Sequence, residues 1–281
     1  MRVFCLQILI VLSSSSIAFT ALADCQSAIR YSVGNGTVYE YSGKNSSPNT
    51  QVVVLPPTGG INSADRSLAR QLCNKGNTVR IFDYQQFKAE FDLSVHDRAV
   101  LTTLKDLDLL FDIFPYPTVL IGASLGGIYT SLAYGASTQN GIFRDLHRIQ
   151  GMVTVVAGGP LGDVLANSKQ EIAREQRDQR MKAYNLKSTA EYAEFLNSII
   201  TYDPLKWAQP NRAGSVLMLT SSHDDFVSPE AQEALWKAWG QPQRRVFNVG
   251  HKLTIAQAYF LYADYISNHV SKILNQNLAS R

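Results

Sequence analysis

Thr118-Val119-Leu120-Ile121-Gly122-Ala123-Ser124-Leu125-Gly126 is the stretch on which the fold turns. Residues 118–121 are a short apolar, β-branched run behind Pro115 and Pro117, the pattern of a buried strand. Residues 125–134 read as a helix that starts within a residue or two of the strand's end. A turn that sharp crowds the serine backbone, so the flanking positions must lack side chains, and Gly122 and Gly126 meet that need. A serine held there projects at a helix N-terminus, where unpaired amides and the helix dipole favour developing negative charge. Ser124 is the candidate nucleophile; the alternative is a glycine turn that only packs helix against strand.

Working outward, residues 29–33 and 37–42 read as two strands around Gly34-Asn35-Gly36, a hairpin signal. Residues 51–55 are a buried-strand run stopped by Pro56-Pro57, and Thr58-Gly59-Gly60 follows as a tight turn. Further strands are expected over 77–83, 151–156, 215–220 and 244–248, with helices between them and one long helix from Leu253 towards Leu274. Alternation of this kind predicts the α/β class, a mainly parallel central β-sheet flanked by helices. Such sheets bind ligands at the carboxyl ends of their strands. Residues 161–210 interrupt the pattern with a polar, helical segment, in which Ser188-Thr189-Ala190-Glu191 is a capping-box sequence opening a helix through Ile200. This segment is expected as a small helical lid inserted into a single domain spanning residues 24–281.

A serine hydroxyl is a weak nucleophile, so it needs a base, and the base needs an orienting acid. Of the histidines at 96, 147, 223, 251 and 269, only His251 directly follows the last expected strand. The strand before it ends in Ser221-Ser222-His223-Asp224-Asp225, and either aspartate is placed to serve as the acid. An oxyanion needs two backbone amides. Leu125, next after the serine, supplies one; Thr58 or Gly59 supplies the other, because Pro56 and Pro57 have none. His96-Asp97-Arg98 reads as a structural network at a helix start, with Asp65 or Asp83 as partner. Trp207 and Trp236 read as packing residues.

With these residues assembled, the chain resembles the α/β-hydrolase superfamily, and is most similar to its esterase and dienelactone-hydrolase-like branches, over about residues 50–275. The resemblance implies Asp224 as the acid, three residues before Val227, and a Ser124-His251-Asp224 triad that cleaves a small-molecule acyl ester through an acyl-enzyme. It implies no cofactor and no metal. Many members carry His-Gly at the oxyanion strand end, where this chain has Pro57-Thr58-Gly59-Gly60. The same triad also serves amidases, peptidases and acyltransferases, and the scaffold serves non-catalytic binding proteins. The charge of the insertion (Lys169, Glu171, Arg174, Glu175, Arg177) is unlike a broad apolar lipase lid and points to short or medium acyl chains.

Met1-Arg2, the apolar run over 4–12 and Ala21-Leu22-Ala23 have the pattern of a signal peptide, residues 1–23, predicting export to the periplasm or beyond without lasting membrane insertion. Cys25 and Cys73 then remain, either as a disulfide or as two separate thiols. A hydrophobic content of 45% and a charged content of 17% suit a folded domain rather than a disordered one. The net charge of +3 comes without a basic run, so nucleic acid is not an expected partner. The oligomeric state is not legible in the sequence.

Overall fold

The computed structural model describes residues 25, 28–84, 94–138 and 143–279; the expected leader lies outside them. Among the described residues one sheet holds β1 (Ile29–Val33), β2 (Gly36–Tyr41), β3 (Gln51–Leu55), β4 (Thr78–Asp83), β5 (Thr118–Ala123), β6 (Ile149–Val155), β7 (Val216–Ser221) and β8 (Gln243–Phe247). Their spatial order is β1-β2-β4-β3-β5-β6-β7-β8. β2 runs antiparallel to both its neighbours, and every pair from β4 across to β8 is parallel. The apolar runs became the middle of the sheet: β3, β5 and β7 are buried at every residue. The outer strands β1 and β8 are largely exposed, and Arg244 and Arg245 charge the β8 edge against further pairing.

The helices are α1 (Ser63–Asn74), α2 (Ser94–Ile113), α3 (Leu125–Ala136), α4 (Leu161–Asn167), α5 (Glu171–Ala183), α6 (Thr189–Ile199), α7 (Pro204–Trp207), α8 (Pro229–Ala238), α9 (His251–Phe260) and α10 (Ala263–Ala279). Alternation along the strands divides the core in two. Val53, Leu55 and Leu120 pack with α2, α3 and α8, while Val52, Val54, Val119 and Ile121 pack with α1, α9 and α10. The chain passes from β3 to β4 on one side and then crosses to β5 on the other. Strand order therefore reverses between β3 and β5, which opens a crevice beyond their carboxyl ends.

One expectation is corrected. The long final helix is two, α9 and α10, broken at Leu261 and Tyr262. Gln71 of α1 donates its side-chain amide to the Tyr259 carbonyl, and the Tyr262 amide turns back to Gln257, so these two carbonyls near the end of α9 are satisfied without continuing the helix. The Asp97 carboxylate accepts the amides of Thr201 and Tyr202, joining α2 to the end of the insertion. Trp207 packs against Tyr202, and Trp236 donates to the Pro242 carbonyl, both as packing residues.

Cys25 and Cys73 form a disulfide across 48 residues, tying the start of the described chain to the buried face of α1. Closing a loop of that size restricts the unfolded chain by about 4 kcal/mol in the loop-entropy account. Reduction is expected to lower the free energy of unfolding by about 2–4 kcal/mol, read as a fall in the urea midpoint with dithiothreitol present. An unchanged midpoint would show that the bond contributes nothing.

Candidate active site

β5 hands over to α3 in a single residue. Ser124 sits there with φ +54 and ψ −120, a backbone conformation that side-chain-bearing residues rarely adopt, and its amide is held by the Val155 carbonyl at 2.8 Å. The flanking glycines are required by contact. A Cβ on Gly122 would collide with the Gly126 carbonyl and the Thr130 hydroxyl, and one on Gly126 would collide with the Leu55 carbonyl at the end of β3. Ser124 makes no side-chain bond to its own helix. Its hydroxyl is therefore not used as a cap.

His251 opens α9 and Asp224 lies beyond β7. His251 Nδ1 is 2.7 Å from Asp224 Oδ2. Asp224 Oδ1 accepts the amides of Phe226 and Val227 at 2.8 and 2.9 Å, so the carboxylate is pinned by its own loop. Asp225 points the other way, exposed and paired with Lys169 at 2.9 Å. The structure thus separates the two aspartates that position alone left equivalent. His223 is exposed against Ser222, and His147 is exposed against the Arg144 carbonyl.

Gln232 of α8 is the partner that sequence reading missed. It is fully buried, donating to Asp224 Oδ2 at 3.1 Å and to the Val227 carbonyl at 2.7 Å while accepting the Ser221 amide at 2.9 Å. Its signal was an amide on the buried face of an amphipathic helix, beside Ala231 and Leu235.

Ser124 and His251 line one open cleft of about 340 Å³, together with Thr58, Asn62, Gln170 and Phe226. The Phe226 ring lies 4.9 Å from the imidazole. Of the expected oxyanion donors, Leu125 is in the first turn of α3, where an amide has no partner within its helix. Thr58 lines the cleft, whereas Gly59 does not. Thr58 and Gly59 are the central residues of a turn closed by the Gly60 amide on the Pro57 carbonyl at 3.1 Å, with Gly59 at φ +101 as a type II turn requires.

Asn62 caps α1 on the cleft wall, and Asp65 completes the capping box by accepting the Asn62 amide at 2.9 Å. Asp65 is fully buried, and burial pushes its carboxyl up to about 7 against the pull of the Asn62 amide and Arg66. The unfolded chain then loses this proton near pH 4 while the folded chain keeps it to about pH 7. In that window the folded state binds more protons, so this group's stabilisation is full below pH 4 and falls as pH rises to 7. Burial lowers His269 to about 4, which acts in the opposite sense, so comparison with a variant is needed. Asp65→Asn is expected to gain stability over wild type between pH 5 and pH 8 by roughly 2–4 kcal/mol, measured by urea unfolding. Equal gains at both pH values would contradict the buried titration.

Eight largely parallel strands, helices on both faces and a strained serine turn at the reversal of strand order define the α/β-hydrolase fold. Solved structures agree. The chain is similar to the Pyrococcus furiosus esterase Pf2001 (TM-score 0.58, 15% identity, covering 90% of this chain and 94% of that one). It is similar to Est1E from Butyrivibrio proteoclasticus (TM-score 0.58, 13% identity, 90% and 99%) and to a cold-adapted esterase from an Arctic intertidal metagenomic library (TM-score 0.51, 16% identity, 86% and 92%). At these identities the likeness is one of fold. No protein-family model matches the chain. Among curated proteins, the uncharacterized protein YdjC of Bacillus subtilis (strain 168) is 32% identical over 59 residues, 20% of this chain and 51% of that protein, so the match spans about half of the relative's length.

Proposed function

We propose that the chain is an exported serine hydrolase of carboxylic esters with short or medium acyl groups. The observation that carries this reading is a strained serine and a histidine lining one cleft, with the histidine's far nitrogen held on a buried aspartate. With Nδ1 engaged on Asp224, Nε2 is the nitrogen that takes the proton from Ser124 as the alkoxide attacks the ester carbonyl. The amides of Leu125 and of Thr58 or Gly59 stabilise the oxyanion. His251 returns its proton to the departing alcohol, and water then releases the acid with His251 again as base. The esterase names among the structural neighbours favour an ester over an amide. The leader pattern and the Cys25–Cys73 bond favour an oxidising compartment. Among the described residues no helix is long and apolar enough to cross a membrane. The insertion acts as the lid, bringing Gln170 to the cleft.

The test is a panel of matched esters, anilides and peptides offered to the chain without residues 1–23. Turnover of esters at least about 100-fold above the amides is expected, the discrimination resting on the pocket and leaving group rather than the triad. Amide cleavage without ester cleavage would replace the reading with that of an amidase.

A further inference from the structure

Gln232 lies one turn into α8, eight residues beyond Asp224, and its side chain reaches back over the acid loop. A buried amide must use its hydrogens or lose stability. One N–H of Gln232 meets Asp224 Oδ2 at 3.1 Å, the other meets the Val227 carbonyl at 2.7 Å, and the amide oxygen takes the Ser221 N–H at 2.9 Å. Asp224 in turn has a different set of donors at each oxygen. The Phe226 and Val227 amides hold Oδ1, while among the described residues Oδ2 takes its bonds from two side chains, His251 and Gln232. Oδ2 is the oxygen on which the imidazole turns, and without Gln232 it would be a buried acceptor with a single partner.

Ser221, at the end of β7, carries the same bracing to the histidine's loop. It is buried, its amide is the one held by Gln232, and its hydroxyl accepts the His223 amide at 3.1 Å while donating to the Val249 carbonyl, two residues before His251. The acid loop and the base loop are thus fastened to one strand end. Gln232 itself does not line the cleft, so it meets no substrate. An N–H aimed at the ionised carboxylate helps keep the shared proton on His251 Nδ1, the state in which Nε2 can take the proton of Ser124.

We infer that Gln232, braced by Ser221, is a positioning residue of the catalytic site, fixing Asp224 Oδ2 against His251 and keeping that oxygen an acceptor. This rests on the proposed Ser124-His251-Asp224 mechanism. Because Gln232 acts through Asp224 rather than on the substrate, its loss falls on kcat and spares KM.

The experiment follows 4-nitrophenyl acetate hydrolysis by wild type, Gln232→Met, Gln232→Glu and Ser221→Ala from about pH 5 to about pH 9, with rates expressed per site titrated by a fluorophosphonate at each pH. Unfolded protein is thereby left out of the rate. Gln232→Met keeps the length of the side chain without its N–H groups, and kcat is expected to fall about 10- to 100-fold with KM within about threefold of wild type. Gln232→Glu makes the donor titratable. Protonated, its O–H can serve Asp224 Oδ2 in place of the amide; ionised, it sets two carboxylates against each other. Its kcat as a fraction of wild type is expected to fall at least about tenfold across that pH range, while the fraction for Gln232→Met falls less than about threefold. Ser221→Ala is expected to lower kcat about three- to tenfold with KM unmoved, and an unchanged kcat would remove Ser221 from the brace. A kcat for Gln232→Met within about threefold of wild type, or a level Gln232→Glu fraction, would overturn the role of Gln232. Should Gln232→Met fail to fold, the pH course of Gln232→Glu decides. Absence of hydrolysis by wild type at every pH would instead remove the ester reading on which the inference stands.

Discussion

Replacing Ser124 with alanine is expected to lower kcat for ester hydrolysis by about 10⁴ to 10⁶, with residual rate over water left to the oxyanion amides and binding. The fold should not change. The Ser124 side chain caps nothing, and alanine meets the same backbone strain at φ +54 that serine already bears. The thermal midpoint is therefore expected within a degree or two of wild type, the size of effect usual for a substitution that removes no structural contact. Parallel kinetics and thermal melts check both halves. A variant with a tenth of wild-type activity would mean that another group attacks the substrate.

The second large effect separates two neighbouring aspartates. Asp224→Asn is expected to cost about 10³ to 10⁴ in kcat, because an amide in place of Oδ2 offers a donor to His251 Nδ1 and favours the wrong tautomer. Gln232 aggravates this, since its own N–H faces the same oxygen. Asp225→Asn should change kcat less than about threefold, as it removes only an exposed pair with Lys169 and exposed pairs contribute little. The Lys169 amide still reaches the Asp225 backbone carbonyl, so the insertion stays tied to the acid loop in this variant. Steady-state kinetics on both variants measure the contrast. Equal losses would remove Asp224 from its assigned role.

The succession of strands along the chain was readable because fully buried parallel strands need apolar, β-branched runs, and prolines and glycines mark their ends. Residues 51–55 match β3 at both ends for that reason. The glycines around Ser124 were readable too, since their need for space is local to the turn and to the end of β3. What escaped depends on contacts between distant segments. The break between α9 and α10 is set partly by Gln71, far away in α1, and no residue near Leu261 announces it. Asp224 and Asp225 are chemically the same in sequence, and only the path of the loop turns one inward. In the insertion, the Ser188 hydroxyl accepts the Glu191 amide as its pattern predicts, yet the Glu191 carboxylate returns to the amide of Lys187, one residue early. The small cavity lined by His96, Leu125, Leu161, Gln176 and Ile200 draws on five separate stretches of chain, so it has no sequence signature at all.

The central claim, that Ser124 is a nucleophile activated by His251, is tested most directly by covalent labelling with a fluorophosphonate followed by peptide mapping. A single modification on the peptide carrying Ser124, formed rapidly in wild type and lost in His251→Ala, is the predicted result. Rapid modification of another residue, or equal labelling after Ser124→Ala, would contradict it.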